Sequence, residues 1–200
     1  MKKIFALAGI AFATLVFDGH THAAFAQTAA LATNFLEQAR ASSDSLLGSL
    51  GSELAGKVQA LESSAGTNSP VSTRLNGLLE SLTGGADSNA LASALQLTTA
   101  AKFTPEQLDL AKQVGNLTSA YVVQKNFSSL DGAQGDVATI VNSLRNGQVT
   151  AAVPALQNVA KNASLTDAQK QLITAVAGKY APGLNKISGA LNRFKKLPGF

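Results

Sequence analysis

Apolar residues recur every three or four positions along most of this chain, and runs with the alternating period of strands are almost absent. From Ala29 to Leu61 the recurrence reads Leu31, Phe35, Ala39, Leu46, Leu47, Leu50, Leu54, Val58, Leu61. It predicts one long helix, or two interrupted near Gly48 and Gly51. A Ser/Gly/Asn stretch, 63–69, breaks the pattern. Pro70 behind Ser69 suits a first helical position, with Leu75, Leu78, Leu79 and Leu82 as the stripe and Gly84-Gly85 as the stop. Asp87 reads as the next N-cap, ahead of Leu91, Ala94 and Leu95.

The second half is more regular. Thr104-Pro105-Glu106-Gln107 spells a capping box with proline at the first helical position. The helix behind it carries Leu110, Ala111, Val114, Leu117, Tyr121 and Val122 on an arc wide enough for a central, mostly buried helix. Val137, Ile140, Val141 and Leu144 mark another, stopped by Asn146-Gly147. Residues 149–161 form the next, where Pro154 is tolerable only in the first turn. Leu165-Thr166-Asp167-Ala168-Gln169 repeats the capping box before Leu172, Ile173, Val176 and Tyr180. Pro182-Gly183 precedes a last helix with Leu184, Ile187, Leu191 and Phe194. The fold class is therefore all-α: a bundle of about seven or eight helices built from αα-hairpins. Residues 87–198 read as compact and 27–86 as a looser Ser/Gly/Leu-rich helical arm. Ala94-Leu95-Gln96 before one capping box and Ala155-Leu156-Gln157 before the other suggest an internal duplication spaced by about 61 residues.

The N-terminus has a different grammar. Lys2-Lys3, an apolar run from Ile4 to Phe17 and the small-x-small site Ala24-Phe25-Ala26 compose a secretory signal peptide over residues 1–26. The run of about 14 residues is shorter than the roughly 20 that a membrane span needs. The expected location is periplasmic or secreted after cleavage near Ala26. Cleavage would remove His20 and His22, the two histidines, together with Met1, the one methionine, from a chain that has no Cys or Trp. That excludes His/Cys metal centres and Ser-His-Asp or Cys-His nucleophile systems from the exported form. The expectation for metal, cofactor and catalytic residues is none, and for the protein class, not an enzyme.

Other constellations carry little chemistry. Leu82-Thr83-Gly84-Gly85 lacks the lysine of a phosphate loop, and Asp131 to Asp136 has two acids and no terminal Glu, short of a calcium loop. Glu106 and Asp109 complement a helix dipole. Tyr121 and Lys125, one turn apart, read as a core aromatic and a snorkelling lysine rather than a proton-transfer pair. Asn116, Asn126 and Asn162 head sequons that a bacterial exporter would leave unmodified.

Net charge is +4, unevenly placed: residues 27–167 hold 8 basic and 11 acidic side chains, whereas no acid follows Asp167. The basic residues are dispersed, which does not fit nucleic acid. Lys186, Arg193, Lys195 and Lys196 on the last helix form the candidate interaction surface, for an envelope protein partner or, through residues 183–197, weak contact with an anionic membrane. The paired boxes at 103–107 and 165–169 resemble the twin LTxxQ signatures of Spy-type periplasmic chaperones, small exported helical proteins that cradle unfolded clients. That resemblance implies a holdase as the alternative function. The chain departs from the family's usual richness in Met and charge. The leading expectation is an exported, non-catalytic helical protein that acts by binding or by supporting the envelope.

Overall fold

A computed structural model describes residues 22–66 and 70–180 of the protein. Among these residues it contains eight α-helices, one short 3-10 turn and no strand. The helices are α1 (His22–Ala41), α2 (Ser45–Ala65), α3 (Pro70–Thr83), α4 (Asp87–Leu97), α5 (Pro105–Phe127), α6 (Gln134–Arg145), α7 (Val153–Ala160) and α8 (Asp167–Tyr180), and the 3-10 turn Val149–Ala152 leads into α7. They pack on one another as the all-α bundle that the periodicity predicts. The apolar run of the leader and the expected last helix, with Lys186, Arg193, Lys195 and Lys196, lie outside the described residues.

Most helix ends follow from the local signals. Gln107 N–H donates to Thr104 Oγ1 at 3.3 Å, and Thr104 N–H donates to Gln107 Oε1 at 3.0 Å, with Pro105 opening α5. The same exchange joins Gln169 and Thr166 at 3.2 and 3.0 Å. Gly85 (φ 74°) and Gly147 (φ 70°) terminate α3 and α6 in the left-handed region where a Cβ is costly. There Ala86 N–H reaches the Ser81 carbonyl, and Gln148 N–H the Ser143 carbonyl, both at 2.8 Å. Pro154 sits in the first turn of α7.

Helix α5 is the axis of the bundle. It packs against α2, α4, α6 and α8, and every residue from Leu117 to Gln124 is buried. A helix wrapped on all sides must satisfy its polar groups internally. Thr118 and Ser119 do so by donating one turn back, to the carbonyls of Val114 and Gly115 at 2.8 and 2.9 Å. Gln124 Nε2 donates to Asp44 Oδ2 at 2.6 Å, tying the axis to the start of α2. Tyr121 meets Phe35 of α1 edge-on, with ring centroids 5.1 Å apart.

Three features differ from the sequence reading. The break in the first long pattern falls at residues 42–44, not at Gly48 and Gly51, because the Asp44 carboxylate caps α2 by accepting from Leu46 and Leu47 N–H at 2.9 and 3.2 Å. The two glycines lie inside α2, and Gly51 lets α1 approach: a Cβ there would overlap that of Ala39. Asp87 does not cap α4, whose N-cap is Ala86. Its buried carboxylate takes Lys125 Nζ at 3.0 Å and Asn126 Nδ2 at 2.8 Å from the end of α5. Residues 27–86, expected as a looser arm, place Phe35, Leu50, Leu54, Leu61, Leu75, Leu78 and Leu79 in the same core cluster as Phe127, Ile140, Leu144 and Leu156.

Several buried positions of that core lie 62 residues apart, although Ser72 and Leu91 are buried where Gln134 is exposed and Val153 only half-buried. Val71, Leu75, Leu78, Leu79 and Leu82 are buried, and so are Ala133, Val137, Ile140, Val141 and Leu144. The correspondence continues through Ala90 and Ala152, Leu97 and Val159, Ala111 and Ile173, Val114 and Val176. The capping glutamines also act alike beyond their own boxes. Gln107 Nε2 donates to the Ser64 carbonyl in the last turn of α2 at 2.6 Å, and Gln169 Nε2 to the Asn126 carbonyl in the last turn of α5 at 2.7 Å, each across 43 residues. Each box therefore caps its own helix and closes the end of the helix before the last hairpin.

Candidate functional site

A cleft of about 630 Å³ opens between α4, α5, the turn after α6 and the end of α8. Its apolar wall comprises Ala94, Leu95, Leu108, Ala111 and Val149. Leu95 belongs to the outer side of α4 and is the large hydrophobic exposed among the described residues. The polar side is made by Thr98, Asn116, Lys112, Lys179 and Tyr180, with the bare backbone of Gly115 between them. Among the described residues no carboxylate lines it.

Lys179 is the centre of this arrangement. It lies on the last turn of α8, in register with Leu172 and Val176, so the helix that buries those residues carries the lysine stem inward. Its amine approaches Gly115 so closely that a Cβ there would come within 2.7 Å of Nζ. It also lies 4.7 Å from the centre of the Tyr180 ring. Among the described residues no carboxylate pairs with it. Burial disfavours the ammonium and pushes its pKa down to about 8. The Tyr180 hydroxyl lies 3.0 Å from Asn116 Oδ1, 3.1 Å from Ser119 Oγ and 3.3 Å from the Gly115 carbonyl, and its one proton serves one of these acceptors at a time. Burial raises this phenol well above its usual range, so it stays neutral and acts as a donor.

The residues considered from sequence for proton transfer are engaged in other contacts. Tyr121 is spent on Phe35, and burial followed by the nearby Asp87 charge raises its pKa. Lys125 is spent on Asp87. Glu106 is exposed in the first turn of α5, its carboxyl held below the usual range by a backbone N–H and the Thr104 hydroxyl. Asp136 accepts from Asn158 at 3.2 Å. Among the described residues no group of three or more acidic or imidazole side chains is placed to share a metal ion. The side-chain amides of Asn126 and Asn162 are engaged, with Asp87 and with the Asp131 carbonyl.

Sequence reasoning gave Lys179 no role. The signal was present in its register, three positions after Val176 and seven after Leu172, on the apolar stripe rather than opposite to it. Scanned against protein-family models, curated proteins and solved structures, the chain matches none of them.

Proposed function

We propose that the protein is exported, loses residues 1–26, and works in the periplasm or outside the cell by binding a ligand or an envelope component, without catalysis. The observation that carries the binding half is the Lys179 cleft, a concave, apolar-walled surface with a desolvated amine and a neutral phenol and, among the described residues, no carboxylate in its lining. Elsewhere several buried polar side chains join helices. Thr28 of α1 donates to Asn76 Oδ1 at 2.6 Å and lies 3.3 Å from Glu62 Oε1, linking three helices. Asp87 and Gln124 fix the ends of α5 and α2 in the same way.

Export rests on the three-part leader, and the fold is compatible with its loss. The buried side chains described for α1 are Thr28, Ala32, Phe35 and Ala39, all beyond a cut after Ala26. No helix among the described residues is long and apolar enough to cross a membrane. The holdase alternative draws no comparable support from the described surface, where Leu95 is the exposed large hydrophobic. In-cell crosslinking with a C-terminally tagged copy, followed by fractionation, tests the proposal. Recovery outside the cytoplasm with one reproducible ligand or envelope component attached is expected. Recovery in the cytoplasm would overturn it.

A further inference from the structure

Resting on the binding reading above, we infer that the Lys179 cleft takes a single-chain amphiphile with an anionic head, either a carboxylate or a phosphate. The head would sit on Lys179 and the chain along the apolar wall of α4 and α5.

Four observations converge on this ligand chemistry. The cleft holds two ammonium groups, Lys179 within it and Lys112 on its exposed side, and no carboxylate to neutralise either. Removing an unpaired ammonium from water is costly, and an anion brought in by a ligand offsets that cost where the local dielectric is low. The opposite wall, Leu95, Leu108, Ala111 and Val149, offers apolar surface and no further charge to recognise, as an alkyl chain requires. The volume of about 630 Å³ lies within the roughly 300–1,000 Å³ common for sites of small molecules.

A comparison of positions 62 residues apart supplies the fourth observation. At the offset of 62, Lys179 corresponds to Leu117 and Tyr180 to Thr118, both buried. An amine and a phenol thus stand where the counterparts are a core leucine and a self-satisfied threonine. Gly115, whose counterpart is Ala177, is the position that leaves room for that amine.

Electrostatics also sets the discrimination. A cationic amphiphile would meet two like charges, and a neutral alcohol would gain the apolar wall alone. Calorimetric titration of the full chain with decanoate, decyl phosphate, decylammonium and decanol, each below its micelle concentration, separates these contributions. Both anions are expected to bind at least about tenfold more tightly than decanol, a difference of about 1.4 kcal/mol, with decylammonium weakest. Lys179→Met should reduce decanoate to the affinity of decanol, Lys179→Arg should retain most of it, and binding of the anion should weaken as pH rises past about 8. Decanol binding as tightly as decanoate, or Lys179→Met leaving decanoate unchanged, would overturn the inference. So would the absence of any binding, although the wider reading would then still stand on the crosslinking result.

Discussion

At the scale of single residues, Lys179 illustrates how a stripe position can be kept for something other than packing. Its folded pKa of about 8 lies below the ordinary lysine value of 10.5, so the unfolded chain holds the proton more tightly than the folded one. The unpaired charge therefore costs stability in full below about pH 8, and the cost disappears as pH rises toward 10.5. Lys179→Met is expected to raise the unfolding midpoint at pH 7, by an amount of order 1 kcal/mol, and the gain should shrink steadily between pH 8 and pH 10. A gain independent of pH would mean that methionine packing, not the relieved charge, is responsible. The lysine's register was readable from Leu172 and Val176, but its isolation from acids was not. That depends on Gly115 and Ala94, which are distant in sequence and reach it only in the folded bundle. Asp87 shows the same limit. Its place before an apolar run fits an N-cap, yet a salt bridge to Lys125 and a hydrogen bond from Asn126 use the carboxylate instead.

At the scale of elements, helix starts and stops were written locally and were legible. Thr104 and Gln107, Thr166 and Gln169, Gly85, Gly147 and Pro154 each act within a few residues of themselves, so no tertiary contact is needed to read them. Gly48 and Gly51 could not be read in that way. A glycine inside a helix costs up to about 1 kcal/mol relative to alanine, which makes it resemble a break. Here the cost is offset by the contact between α1 and α2, where Ala39 occupies the space a Gly51 side chain would need. Gly51→Ala should therefore destabilise the protein by about 1–3 kcal/mol despite its better helix propensity. Gly56, on the same helix with open space at its Cβ, should be neutral or gain stability on the same change. Denaturant midpoints of the two variants measure this directly, and a stabilised Gly51→Ala would contradict the packing argument.

At the scale of the whole molecule, several buried positions between Val71 and Val176 lie at one spacing, and α5 contributes to both sets. It carries the first capping box and also closes the second through the Asn126 carbonyl. The spacing is faint in the sequence because the matched positions are interchangeable apolar residues, Leu for Ile or Val, and few are identical. Since α1, α2 and α3 share one core with the later helices, unfolding should be a single transition. Backbone ellipticity and tyrosine fluorescence should give the same midpoint; two separated transitions would divide the core. The functional account depends on residues 1–26 acting as an export signal. The most direct test is N-terminal sequencing of the protein recovered from the extracytoplasmic fraction of a bacterial host. The account predicts a chain beginning at Gln27, without His20 and His22. Protein retained in the cytoplasm with both histidines in place would contradict it and return imidazole chemistry to consideration.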